Sequence, residues 1–377
     1  MSKVLLGDVA VEHKETCKGS KDGYPIVGLE HLVPEEITLT AWDEGSENTF
    51  TKMFRKGNVL FGRRRAYLKK AAVAPFDGIC SGDITVIEAK PDRILPELLP
   101  FIIQNDALFD FAVGKSAGSL SPRVKWEHLK NFEFELPDMD KQKELAALLW
   151  AMDDTKKSYQ KLIAATDELV KSQFIEMFGK PGTDPYEWGL TTLGECCELN
   201  PRRPRVMKPD IDYSFVAMPS VSEDGRIDAS IERPYSEVCK GFTYFAENDV
   251  LFAKITPCME NGKGGVAKGL KNGAGFGSTE FHVLRPIKGT SDPYWLYIIT
   301  MFPKFRSDAE KVMTGTGGQR RVPITYLSEY RIALPPIELQ EQFADFVRQS
   351  DKSKFELEQA LAELTATYKR IIAENLG

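Results

Sequence analysis

Leu136-Pro-Asp-Met-Asp-Lys-Gln142 is followed, 198 residues later, by Leu334-Pro-Pro-Ile-Glu-Leu-Gln340. In each, a Leu-Pro step closes a short apolar run, and a polar stretch then opens a long segment of seven-residue periodicity. Working backward, Arg123-Val124 matches Arg321-Val322 and Leu129 matches Leu327 at the same offset. Farther back, Ser81-Gly-Asp-Ile-Thr-Val-Ile87 returns as Ser278-Thr-Glu-Phe-His-Val-Leu284, and Pro96-Glu-Leu-Leu99 as Pro293-Tyr-Trp-Leu296. Asn58-Val59-Leu60-Phe61-Gly62-Arg63 returns as Asp249-Val250-Leu251-Phe252-Ala253-Lys254, and Leu6-Gly7-Asp8 as Leu193-Gly194-Glu195. Ordered matches with slowly drifting offsets mark one unit written twice, with loops that have gained residues.

Each copy divides in two. Residues 1–137 and 179–335 mix short β-rich runs such as Asp83–Glu88 with glycine-rich turns and a few helical stretches, which predicts α/β domains with largely antiparallel or mixed sheets. Regular strand–helix alternation is absent, so a doubly wound sheet is not expected. Residues 138–178 and 336–377 carry heptads. Leu145, Met152 and Tyr159 fall seven apart, interleaved with Leu148, Leu162 and Leu169; Phe343, Leu357, Leu364 and Ile371 repeat the pattern with Phe346 and Ala360 between. These twelve residues are the expected seam of two helices paired as an antiparallel coiled coil, each roughly 55 to 60 Å long at 1.5 Å per residue. The predicted class is thus α+β, a tandem repeat of two α/β domains, each followed by a long helix. Gly179-Lys-Pro-Gly-Thr-Asp-Pro185 reads as a stop and linker.

The 377 residues carry 49 Lys and Arg against 55 Asp and Glu, a net charge of −6 that argues against nucleic acid at the scale of the whole chain. Divided by part, the two globular segments carry −2 and +1 and the two helical segments −2 and −3, so the acidity resides in the helices. Within the globular parts basic residues cluster: Arg63-Arg64-Arg65 with Lys69-Lys70, Arg202-Arg203 with Arg205 and Lys208, Lys263 with Lys268 and Lys271, and Arg320-Arg321. Two glycine-rich loops occupy equivalent positions, Gly114-Lys-Ser-Ala-Gly-Ser-Leu-Ser-Pro-Arg123 and Gly315-Thr-Gly-Gly-Gln-Arg-Arg321. Small hydroxyls, an amide, arginine forks and adaptable backbone suit close approach to a DNA duplex. The candidate DNA contacts are Arg63, Arg64, Arg65, Lys115, Ser119 and Arg123 in the first copy and Lys254, Lys263, Gln319, Arg320 and Arg321 in the second.

Catalytic signatures are missing. No Gly-x-x-x-x-Gly-Lys-Ser/Thr phosphate loop is present. Asp292-Pro-Tyr-Trp295 and Asp184-Pro-Tyr-Glu187 lack the second proline of adenine-methyltransferase motifs and read as turns or helix starts. Asp77 with Glu88-Ala-Lys90 fits the loose spacing of a metal-dependent nuclease, but the second copy lacks it. The four histidines are not at metal spacing, and His128 and His282 read as structural; the six cysteines read as reduced thiols rather than zinc ligands. No apolar stretch approaches a membrane span, and Asp8 comes too early for a signal peptide, so a soluble, intracellular protein is expected.

Taken together, the tandem plan, the Leu-Gly-Asp/Glu starts, the two Leu-Pro exits and the Gly315–Arg321 loop resemble the specificity subunit of type I restriction-modification systems across essentially the full chain. The resemblance implies two target-recognition domains, 1–137 and 179–335, each reading one half of a split DNA sequence, and conserved spacer helices at 138–178 and 336–377. It implies docking of two methyltransferase subunits, which carry S-adenosylmethionine and methylate adenine, and of restriction subunits that use ATP and Mg2+ in defence against phage. The subunit itself would hold no cofactor or metal, perform no catalysis and work in the cytoplasm. The competing expectation is a stand-alone endonuclease or adenine methyltransferase built on Asp77, Glu88 and Lys90 or on an Asp-Pro-Tyr site.

Overall fold

A computed structural model describes residues 2–377 apart from Ser46, Glu47, Ser119, Leu120 and Gly317. Its chain forms two compact units: Met1–Lys161 together with Leu357–Gly377, and Leu162–Glu356. Both long helices, Met139–Phe178 and Ile337–Leu376, begin in one unit and end in the other.

The first unit holds a four-stranded antiparallel sheet in the order Ala10–Glu12, Ile84–Ala89, Val59–Gly62, Ala71–Val73. A second sheet pairs Ile26–Val27 in parallel with Gly78–Cys80, which is antiparallel to Lys52–Phe54. The chain start, Ser2–Leu5, pairs with Glu133–Leu136, the strand that leads into the first helix. The second unit repeats the plan with Cys197–Leu199, Phe281–Pro286, Val250–Ala253 and Gly264–Val266, again all antiparallel. Asp212–Val216 runs parallel to Ala274–Gly277, which pairs with Thr243–Ala246, and Glu232–Pro234 adds an edge strand without a counterpart among the described residues of the first unit. Leu190–Thr192 pairs with Arg331–Ala333. The strands with both faces covered, Val59–Gly62 and Val250–Ala253, are buried at every residue, which explains their unbroken apolar reading.

The glutamines of the quoted stretch explain its recurrence. Gln142 accepts from the backbone N–H of Leu95 at 2.8 Å and donates to the Pro137 carbonyl at 2.9 Å. Gln340 accepts from Asp292 N–H at 2.9 Å and donates to the carbonyls of Pro335 and Thr290. Both side chains are buried, so each fixes the first turn of a long helix onto its globular neighbour through groups that would otherwise be left unsatisfied.

Each unit contains the start of one long helix and the end of the other, packed antiparallel. In the first, Leu145, Ala146 and Leu149 share a core with Ile372 and Leu376, and Tyr368 and Ile371 pack against it. In the second, Val170, Phe174 and Phe178 meet Phe343 and Val347, with Phe343 edge-on to both phenylalanines at 5.5 and 5.4 Å. The same clusters include the globular parts, so the helices pair with each other and with their neighbours at once.

The seam departs from the expected phase. Leu145, Met152 and Phe343 are buried, but Leu148, Leu162 and Leu169 are 47%, 51% and 52% exposed. The interleaved series lies one residue later, at Leu149 and Val170 in the first helix and at Val347 and Lys354 in the second, all buried. Phe346, Tyr159, Leu357, Ala360, Leu364 and Ile371 are half-buried at the margins. The reason is geometric: residues three and four apart both neighbour the first series on a helix, and the globular part on one flank draws the +4 side into the core.

Candidate nucleic-acid interface

The two glycine-rich loops are closed in the same way, each against the chain that follows an interior strand, Val59–Gly62 in the first unit and Val250–Ala253 in the second. In the first unit Ala117 and Arg123 exchange backbone hydrogen bonds, both at 3.0 Å; in the second Thr314 and Arg321 do so at 3.0 and 2.8 Å. Arg65 N–H donates to the Pro122 carbonyl at 2.9 Å and Val124 N–H to that of Arg63 at 3.0 Å; Thr256 donates to Arg320 and Val322 to Lys254 at 3.0 and 2.9 Å. Gly315 sits at φ 126°, and a Cβ there would lie 2.7 Å from the Gln319 carbonyl, so the turn admits only glycine.

A side-chain fork completes each clamp. Arg123 donates through Nε to Asp83 Oδ1 at 2.7 Å and through Nη2 to Oδ2 at 3.3 Å. Arg321 grips Glu280 at 2.9 and 2.8 Å in the same bidentate manner. The hydrogen bond from Arg123 holds the Asp83 carboxyl below the usual carboxylate range, and Arg321 does the same to Glu280; in both, partial burial opposes the shift. Asp83 and Glu280 occupy the same place in the duplicated Ser-x-acid segment, and that coincidence was the sequence signal for the clamp.

The predicted contacts divide accordingly. Arg123 and Arg321 are engaged with their carboxylates. Arg64 donates to the Ser121 hydroxyl and lies 3.5 Å from Asp83, while Arg320 is 3.5 Å from Glu310. Lys254 is half-buried beside Glu280 and Arg321; burial depresses its pKa, Glu280 opposing and Arg321 adding to the effect. Lys263 reaches the Met218 carbonyl at 3.4 Å. Arg63 is half-buried and its Nε has no partner, whereas Arg65, Lys115 and Gln319 are exposed, Arg65 in a left-handed conformation at φ 55°. Ser119 lies outside the described residues.

The alternative catalytic sets do not assemble. Asp77 accepts from Arg55 Nη1 at 2.9 Å and from Lys56 N–H at 2.8 Å, Glu88 meets His13 at 2.8 Å, and Lys90 donates to the Gly7 carbonyl at 2.7 Å. Asp292 caps the helix Pro293–Met301 by accepting from Tyr294 N–H at 2.8 Å and Trp295 N–H at 3.3 Å. Asp184 accepts from Trp188 and Gly189 in a turn. Among the described residues, no three of His, Cys, Asp and Glu gather as metal ligands, and no helix is long and apolar enough to cross a membrane. All six cysteines are free.

His282 has a structural role that its position opposite Thr85 only partly foretold. Its Nε2–H donates to the Val322 carbonyl at 2.8 Å, which leaves Nδ1 to accept from Asn200 Nδ2 at 3.2 Å. Burial pushes its pKa down to about 4, so this neutral tautomer persists at neutral pH.

Two duplicated α/β parts, each with a clamped glycine hairpin and joined to paired helices, define a tandem protein with two equivalent loop-bearing surfaces. The family model for the type I restriction modification DNA specificity domain matches twice, over residues 4–165 and 185–365. The chain belongs to that family. It is 42% identical over 159 residues to the specificity subunit of the Type I restriction enzyme EcoEI of Escherichia coli, and 39% over 165 residues to that of EcoAI. Those alignments take in 42% and 43% of this chain and only 26% and 28% of the relatives' own lengths. Among solved structures, a chain described in work on complex assembly and conformational transition of the type I R-M system matches with a TM-score of 0.59 at 20% identity, covering 99% of this chain and 97% of that one. The S subunit of the type I system of M. genitalium matches at 0.55 and 12%, covering 98% and 94%. At these identities the structural likeness speaks for the fold alone.

Proposed function

We propose that the chain is the noncatalytic DNA-recognition subunit of a type I restriction-modification complex, reading a bipartite duplex target with one glycine hairpin per half-site. The observation that carries this reading is the clamp written twice, Asp83–Arg123 and Glu280–Arg321, in a family of DNA specificity domains. Two similar surfaces on a repeated chain suit two half-sites, as in dimeric readers of paired sites. The carboxylate grip sets each hairpin's position, and the exposed Arg65, Lys115 and Gln319 are the side chains available to bases and phosphates.

In this reading two methyltransferase subunits bring S-adenosylmethionine, and restriction subunits bring ATP and Mg2+ chemistry, all in the cytoplasm. The helices dock the methyltransferases, and Leu162 and Leu169, seven apart and exposed, are among the apolar groups the first helix offers them. The separate engagement of Asp77, Glu88 and Lys90 supports an adaptor over a stand-alone enzyme. Methylome sequencing of cells carrying the native complex tests the proposal: a split motif with a fixed unspecified gap is expected. Methylation or cleavage of DNA by the purified chain alone, given S-adenosylmethionine or Mg2+, would contradict it.

A further inference from the structure

The segment Asn200-Pro-Arg-Arg-Pro-Arg-Val-Met-Lys208 leaves the strand Cys197–Leu199 through Asn200, which is left-handed at φ 50°. Asn200 accepts from Val283 N–H at 3.0 Å and donates to His282, whose other nitrogen holds the carbonyl of Val322 directly behind Arg321. One histidine thus ties the root of this arm to the exit of the glycine hairpin. At its far end Met207 packs against the small core of Tyr213, Phe215 and Phe276.

Between these anchors the arm is extended by two prolines, which fix φ and donate no hydrogen bond. Arg203 is used internally: Nη1 donates to the Tyr235 hydroxyl at 3.1 Å and to the Cys239 carbonyl, and the guanidinium lies 6.0 Å from the Tyr235 ring. Arg202, Arg205 and Lys208 are exposed and, among the described residues, have no ion-pair or hydrogen-bond partner. Val206 is 89% exposed, so between Arg203 and Met207 the arm is not held by apolar burial.

The matching segment of the first unit is built otherwise. His13, which meets Val86 as Asn200 meets Val283, is held between Glu15 and Glu88. Lys14 lies 3.5 Å from Glu12 and Lys21 donates to the Asn48 carbonyl at 2.8 Å, leaving Lys18 as the lysine of that stretch without a partner among the described residues. Among the described residues, the arm after Asn200 therefore carries three unpaired cations and the matching arm of the first unit a single one.

We propose that Arg202, Arg205 and Lys208 form a phosphate strap that lies along the DNA backbone beside the half-site read by the Gly315–Arg321 hairpin. The strap gives the second domain a salt-sensitive share of binding that the matching arm of the first does not supply. It supplies affinity and register and carries no base preference, because lone cations on a solvated arm meet phosphates rather than a fixed set of base edges. The inference rests on the DNA-reading function proposed above.

The test uses the full chain assembled with its methyltransferase subunits and a duplex bearing the motif that the native methylome reports. Dissociation constants are measured by fluorescence anisotropy between 50 and 200 mM salt. Replacing Arg202, Arg205 and Lys208 by Gln is expected to lower the slope of log affinity against log salt by ~2.7, or ~0.9 per phosphate contact, so the affinity lost across that range shrinks about 40-fold. The methylation motif should stay the same. The matched Lys14→Gln, Lys18→Gln, Lys21→Gln variant should lower the slope by ~1 at most. Arg205→Gln alone, expected to lower it by ~0.9, serves if the triple variant fails to assemble. An unchanged slope with an intact motif, or equal losses in the two arms, overturns the strap alone; a wild-type complex that prefers no split sequence overturns the DNA-reading proposal beneath it.

Discussion

Arg123 and Arg321 show how one residue type serves two purposes in such a protein. An exposed arginine fork on a carboxylate contributes only about 0–1 kcal/mol to stability, because solvent screens the pair and ordering the side chains opposes it. What the pair fixes is where the hairpin sits. Replacing Arg321 by Gln is therefore expected to shift the melting temperature by no more than a few degrees while degrading selectivity at one half-site only; Arg123→Gln should degrade the other. Per-position motif information from methylome sequencing separates the two, and equal loss at both half-sites would count against local clamps. His282 adds a pH dependence with a definite sign. Its folded pKa of about 4 lies below the ordinary 6.5, so the unfolded chain binds the extra proton first as the solution is acidified. The contribution of neutral His282 is complete above about pH 6.5 and declines as pH falls toward 4. His282→Gln should flatten this part of the stability curve, measured by chemical denaturation at stepped pH. The sequence placed the arginines and glycines of the hairpins correctly in pairs, but it could not say that the arginines face inward to acids, since charge opposite charge across forty residues is settled only by the fold.

The long helices were legible as helices and not as a seam. A seven-residue repeat identifies the first series, Leu145, Met152 and Phe343, but the second series can be filled at +3 or +4, and the leucines at 148, 162 and 169 favour the wrong choice by eye. Burial against the globular flank decides it. Leu149→Ala is expected to cost about 2–5 kcal/mol through lost contacts and a cavity, whereas Leu148→Ala should stay within ~0.5 kcal/mol. Urea unfolding of the two variants distinguishes the phases. Leu162→Ser with Leu169→Ser should likewise leave stability almost unchanged but weaken capture of the methyltransferase subunits by about tenfold or more, read by titration of the assembled complex. Gln142 and Gln340 illustrate the converse case: the repetition was visible at once, while their work as bridges between helix start and globular part follows only from the buried donors and acceptors around them.

At the scale of the molecule, duplication is the fact from which the rest follows. Because the strand orders of the two units coincide apart from the added edge strand Glu232–Pro234, and each unit takes the start of one helix and the end of the other, the chain is two equivalent modules that share both helices. The net charge of −6, misleading as a whole-chain number, becomes intelligible once the acid is assigned to the helices and unpaired cations to the loops. If the helices set the distance between half-sites, one heptad inserted into both lengthens each by ~10.5 Å, which corresponds to roughly 3 base pairs of duplex. Methylome sequencing of a strain carrying that variant is the most direct measurement. The same two half-sites separated by a gap about 3 base pairs longer are expected; the same half-sites at the original gap would contradict a spacing role for the helices.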